Sequence, residues 1–174
     1  MPYLSMDPYK ERTSPVNSVE EFLAYSIKLE EEAVLRFDQL ADAMASVGNK
    51  EVGMLFRRLA GYSRLHLSDA RARAGFRDIP TIVPGSFHWP DIESPETAAI
   101  WATDPQIGRG QALEIALDAE RAGLEYYTSI VETTTDPEIL MLAREFAKEE
   151  SQHVAELEKW VALHAAGKPL PIDH

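Results

Sequence analysis

The stretch AKEESQHVAEL, residues 147–157, places Glu150 and His153 three residues apart. On a helix that spacing puts both on one face, and Phe146, Leu157 and Trp160 continue roughly the same stripe. A carboxylate and an imidazole flanked by apolar residues point into a bundle rather than into water. Burying them is costly unless each is paired, hydrogen-bonded or metal-bound. The stretch therefore calls for matching groups from other helices.

Before it, the tract ETTTDPE marks a short break, with Thr135 as the expected cap of this fourth helix and Pro137 at its start. The helix is expected to run to about residue 166, where Gly167, Pro169 and Pro171 end the pattern. The helix before the break is expected to begin after Thr103, whose spacing to Gln106 fits a capping box, with Pro105 in its first turn. Its inward face reads Ile107, Leu113, Ala116, Glu120, Leu124, Tyr127 and Val131.

Nearer the N-terminus, Ser18 and Glu21 fit another capping box, and Leu23, Ile27, Glu30, Val34, Phe37, Ala41 and Met44 follow helical spacing. Gly48-Asn49 turns the chain into a second helix over 50–74, with Gly75 as its stop. Its expected inward stripe is Val52, Leu55, Leu59, Tyr62, His66 and Ala70. Glu31, Glu32 and Glu149 are expected to face outward. Residues 76–103, with Pro80, Pro84, Pro90 and Pro95, are too long for a hairpin loop and suit a crossover along the length of a bundle. Residues 96–101 are expected to form a short helix there, and Phe87, His88 and Trp89 to cover the core or an interface.

The result is an all-α chain, an antiparallel four-helix bundle over 17–166, with an irregular arm at 1–16 and a tail at 167–174. Its halves repeat faintly: Glu30 lies seven residues before Phe37, and Glu120 seven before Tyr127. Each carboxylate is followed, 36 and 33 residues on, by an inward histidine, His66 and His153. A shared core site of Glu30, His66, Glu120, Glu150 and His153 is the expectation.

Composition narrows the chemistry. With 29 acidic and 17 basic residues the net charge is -12, which argues against nucleic-acid surfaces and anionic membranes. The absence of cysteine excludes disulfides, thiolate catalysis, iron–sulfur clusters and rubredoxin-type iron within the chain, leaving carboxylate and imidazole metal chemistry open. There is no long apolar run and no basic, then hydrophobic, leader at the start, so the expected location is cytoplasmic.

The segments LEEEAVLRF, GYSRLH, AERAGLEYYTSI and AKEESQH resemble the ferritin-like superfamily, and within it the chain is most similar to rubrerythrin-like diiron-carboxylate proteins. That resemblance implies four helices around a diiron or dimanganese centre that oxidises ferrous iron, reduces peroxide or activates oxygen. Iron is the implied metal, with manganese or zinc as alternatives, and a homodimer the implied assembly. A peroxidase of this kind lacking a rubredoxin domain needs an external electron donor. By position Glu30 and Glu120 match the single carboxylates of the first and third helices, and Glu150 and His153 the Glu-x-x-His of the fourth.

The second helix departs from the pattern. A Glu-x-x-His ending at His66 requires glutamate at 63, where this chain has Ser63. A hydroxyl has neither the charge nor the two oxygens of a bridging carboxylate. Three residues beyond Glu120, where rubrerythrin-like proteins offer a further carboxylate, stands Gly123. The remaining groups are compatible with one metal, with two completed by water or by Asp69, or with a metal-free hydrogen-bonded core. The last reading makes the chain a helical scaffold or interaction protein that retains the fold.

Overall fold

The computed structural model describes residues 16–83, 86–90, 93–98 and 104–173. Four helices, α1 (Val19–Ser46), α2 (Lys50–Ala74), α3 (Arg109–Thr133) and α4 (Pro137–Ala165), form an antiparallel bundle with a long crossover between α2 and α3. α1 packs chiefly on α2 and α3 on α4, so the bundle is built from two hairpins.

The first hairpin follows its local chemistry. Ser18 caps α1, its hydroxyl accepting from the Glu21 N–H at 3.1 Å. Gly75 ends α2 with φ of 53°, a left-handed position that glycine adopts without penalty. The second hairpin corrects two expectations. α3 starts at Arg109 rather than just after residue 103, and its first orphan donor, the Gly108 N–H, is satisfied by the Gln111 side chain at 3.0 Å. Asp104 instead closes its own turn by accepting from the Gln106 N–H at 2.9 Å, and Thr103 lies outside the described residues. α4 is capped by Asp136 rather than Thr135, its carboxylate accepting from Glu138 and Ile139, with Pro137 in the first turn. A carboxylate has the advantage there, because it also answers the positive end of the helix dipole.

Two apolar clusters fill the bundle. Phe37, Met44, Leu55, Phe56, Leu113, Leu157 and Trp160 belong to one, and Phe22, Leu23, Tyr25, Tyr127, Ile130 and Phe146 to the other. Phe87 and Trp89 from the crossover pack on the second, as expected of them. Their rings meet Tyr25 edge-on, and the Tyr25 hydroxyl accepts from the His88 N–H at 2.9 Å. Tyr62 faces outward, 39% exposed, and Ser63 takes the buried place on α2. Glu31, Glu32 and Glu149 are half-buried at the rim, Glu31 paired with Arg71 and Glu32 with Lys28. The expected helix at 96–101 is not formed in its described part, where Glu96 lies in a turn and Thr97 and Ala98 are irregular.

The expected irregular arm falls on residues 1–15, outside the described residues; Val16 is buried against the core. The tail after α4 folds back, burying Leu170 and pairing Asp173 with Arg109, while His174 lies outside the described residues. Among the described residues no helix is long and apolar enough to cross a membrane.

Candidate metal centre

Between the two apolar clusters the four helices turn polar groups inward. α1 contributes Glu30, α2 His66, α3 Glu120, and α4 both Glu150 and His153. All five residues expected from the sequence converge. The His153 Nδ1 lies 3.5 Å from Glu150 Oε2 and 3.6 Å from Glu120 Oε2, and the His66 Nδ1 lies 3.9 Å from Glu30 Oε2. The two imidazoles stack face to face, centroids 3.9 Å apart and planes 10° from parallel.

A sixth group, absent from the sequence reading, comes from the crossover. Glu96 is buried, and its carboxylate joins those of Glu30 and Glu150. Two triads of donor atoms result, His66–Glu150–His153 and Glu30–Glu96–Glu150, each with its atoms within 4.8 Å of one another. They share Glu150, which stands where one carboxylate can serve both. Asp69, the carboxylate considered as a substitute, is exposed and belongs to neither triad.

Glu96 is held in an uncommon backbone state. The Thr97 N–H donates to the Ser94 carbonyl at 3.3 Å, closing a turn with Pro95 second and Glu96 third. Glu96 has φ of 65°, the third-position conformation of a type II turn, which favours glycine and costs another residue about 1 kcal/mol. Arg36 of α1 grips both sides of this turn, donating to the Glu93 carboxylate and to the Ala98 carbonyl. On α3, Gly123 leaves the space the Glu96 side chain fills. A Cβ there would sit 2.0 Å from Glu96 Oε1 and 2.5 Å from its Cγ. The missed residue thus had one trace in the sequence, a glycine inside a helix, one turn beyond an inward glutamate.

The charges cannot all be expressed together. Burial, then the negative charge of neighbouring carboxylates, Glu150 first, raises Glu30 and Glu96 well above the usual carboxylate range. Burial raises Glu120 to about 7. Glu150 is the exception: burial works against its charge, but His153, Glu120 and Glu96 more than offset this and hold it low. Burial opposes the His153 imidazolium as well, yet Glu120 and Glu150 outweigh it and raise the group to about 10. His66, stacked on that cation, is lowered to about 4 by burial and then by His153. Near neutral pH the cluster therefore favours the His153 imidazolium beside the Glu150 carboxylate, with Glu120 at about 7 between its two forms and Glu30 and Glu96 pushed toward the protonated form.

In this geometry the donor atoms face one another without closing good hydrogen bonds. Glu30 Oε2, His66 Nδ1, Glu96 Oε1, Glu120 Oε2, Glu150 Oε2 and His153 Nδ1 are all buried with no hydrogen bond. Contacts of 3.5–3.9 Å are ion-pair distances, beyond a good hydrogen bond. Six orphaned N and O atoms in one pocket fit a metal centre, since imidazole and carboxylate are ligands for divalent first-row cations.

An uncharacterized conserved protein from Magnetospirillum magnetotacticum, known from its crystal structure, is 32% identical to this chain, with a TM-score of 0.63. The match covers 89% of this chain and 98% of that one. The chain belongs to that protein's family. No protein-family model and no curated protein matches the sequence. The four-helix bundle, the long crossover and the clustered histidines and glutamates are consistent with the broader ferritin-like, diiron-carboxylate superfamily.

Proposed function

We propose that this is a ferritin-like metalloprotein that holds a pair of cations at Glu30, His66, Glu120, Glu150 and His153, with iron as its metal and oxidation or peroxide reduction as its chemistry. The observation that carries the reading is the pair of donor triads meeting at Glu150 with their buried atoms unpartnered. A metal-free polar core would be expected to close these atoms into hydrogen bonds, because each one left unmade costs about 1–3 kcal/mol. That is the ground for preferring a metal site over a bare scaffold.

A ferrous pair held by these residues would supply the two electrons that reduction of peroxide to water requires. Around it the chain's own residues orient, exclude and buffer. Glu30, Glu120 and Glu150 would offset most of the charge and His66 and His153 would supply nitrogen donors. The flanking apolar clusters keep bulk water away. Glu120, with its affinity for a proton near neutrality, is the carboxylate best suited to exchange one during turnover. A groove of about 1260 Å³ between the crossover and the outer face of α3, lined by Glu96, Thr97, Ala122 and Tyr126, offers a small oxidant an approach. Since the chain has no cysteine, reducing equivalents come from an external donor. The resemblance to rubrerythrin-like proteins adds a homodimer to the proposal.

The test is metal content of protein purified without chelator, followed by anaerobic ferrous titration of the demetallated form. About two ions per folded chain are expected. Loss of iron in Glu120→Ala, and peroxide consumption that exceeds free iron and disappears in His153→Ala, would support the redox chemistry. Failure to bind any metal would overturn the reading in favour of a helical scaffold.

A further inference from the structure

We infer that Glu96, delivered by the crossover, is a metal ligand that makes up the carboxylate Ser63 does not supply, and that Gly123 is its socket. The inference rests on the metal-site reading above and adds to it a donor from outside the helices. Four independent features converge on this one side chain. It is buried, with Oε1 unpartnered and its carboxylate in a donor triad with Glu30 and Glu150. Its backbone sits at φ of 65°, where glycine would be at ease. Arg36 holds the turn on both flanks. Gly123 opens α3 where an added Cβ would collide with it.

Charge count gives the same answer. The helix-borne residues provide three carboxylates, Glu30, Glu120 and Glu150, which leave two divalent cations with a net positive charge in a buried site. Glu96 is the fourth carboxylate and brings that sum to zero. Packing alone would be better served by an apolar residue, and the turn alone by glycine, so a buried, strained, unpartnered glutamate has its purpose in the cation it faces.

The experiment is cobalt(II) titration of the demetallated protein, read by visible absorption and by bound cobalt per chain, in wild type, Glu96→Gly and Glu96→Gly/Gly123→Asp. Glycine suits the turn, so the single variant keeps the fold, which melting of the metal-free form verifies. Wild type should bind two ions. Glu96→Gly should lose one or bind it at least about 100-fold more weakly, since loss of a mere supporting partner already costs 10–100-fold. Aspartate at 123 would extend from a Cβ 2.0 Å from the present Glu96 Oε1, so its carboxylate reaches the vacated position and should restore the second ion. Two ions bound equally tightly by wild type and Glu96→Gly would overturn the inference while leaving the metal-site reading intact. Wild type that binds no cobalt would remove both.

Discussion

Substituting Gly123 by alanine in the metal-free protein sets two effects of known size against each other. Within a helix, alanine is favoured over glycine by about 0.8–1.0 kcal/mol. Gly61, inside α2, has nothing within 4 Å of an added Cβ and supplies the internal control. Gly61→Ala should gain that amount, or about 2–4 °C in Tm for a chain of this size. At 123 the same methyl would meet Glu96 Oε1, Cγ and Cδ at 2.0, 2.5 and 2.6 Å, where carbon–carbon contact begins near 3.5 Å. The collision involves the stem of the side chain as well as its tip, and Arg36 restrains the turn that carries it. Overpacking of this kind costs about 1–3 kcal/mol, so the net change should run from near zero to a loss of about 2 kcal/mol. Urea and thermal unfolding of both variants read the difference. In a Glu96→Gly background the obstacle is gone, and Gly123→Ala should then stabilise as much as Gly61→Ala does. A wild-type background in which the two alanines stabilise equally would refute the placement of Glu96 against α3.

Metal uptake should expel protons, because near pH 6.5 His153, raised to about 10, and Glu120, raised to about 7, both hold one in the free protein, and burial pushes Glu30 and Glu96 the same way; calorimetry in buffers of different ionisation enthalpy should find more than one released per chain, and apparent affinity should rise with pH. Stability of the metal-free protein should fall between pH 6.5 and 8.5. His153 is raised to about 10 from an unfolded value near 6.5, so its contribution is complete below 6.5 and declines as pH rises toward 10. Glu30, Glu96 and Glu120, raised as well, act in the same direction, whereas His66, lowered to about 4, is neutral in the folded protein and partly protonated in the unfolded chain at the lower end of the window, so it opposes the fall slightly up to about pH 7.5 and loses further stability on acidification. Thermal melts at several pH values check this slope, which bound metal should flatten. Arg36→Ala frees both flanks of the Glu96 turn and should cost about 1–2 kcal/mol, with weakened cobalt binding as a second readout.

Much of this was legible in the sequence, for reasons that differ by residue. Ser18, Gly75 and the Gly48-Asn49 turn fix α1 and α2 because each acts through its own side chain or φ angle, with no distant partner required. Periodicity brought Glu30, His66, Glu120, Glu150 and His153 to one level, because an inward residue on a helix is constrained by its apolar neighbours three and four positions away. α3 failed at its start because Thr103 and Gln106 have the spacing of a cap, whereas the cap actually used is a backbone N–H at Gly108 reached by Gln111. Tyr62 and Ser63 are adjacent on a wide stripe, and spacing alone did not decide which of them turns inward. Glu96 lay beyond periodic reasoning altogether: its direction is set by one left-handed residue, an arginine sixty positions away in sequence, and a gap in another helix. Gly123 read as the loss of a carboxylate, whereas in the folded chain it makes room for one.

The division of the bundle into two hairpins has a mechanical consequence. α1 binds mainly α2, and α3 mainly α4, while the seam between the pairs is thinner. Glu30 and His66 stand on one side of that seam, Glu120, Glu150 and His153 on the other, and Glu96 on the chain that joins them. A metal pair held between them would be a rivet through the seam: releasing it and parting the hairpins would become linked events. At a hundred times its dissociation constant such a rivet adds about 2.7 kcal/mol against separation. Metal supply would then govern how long the folded chain persists as well as what chemistry it can perform.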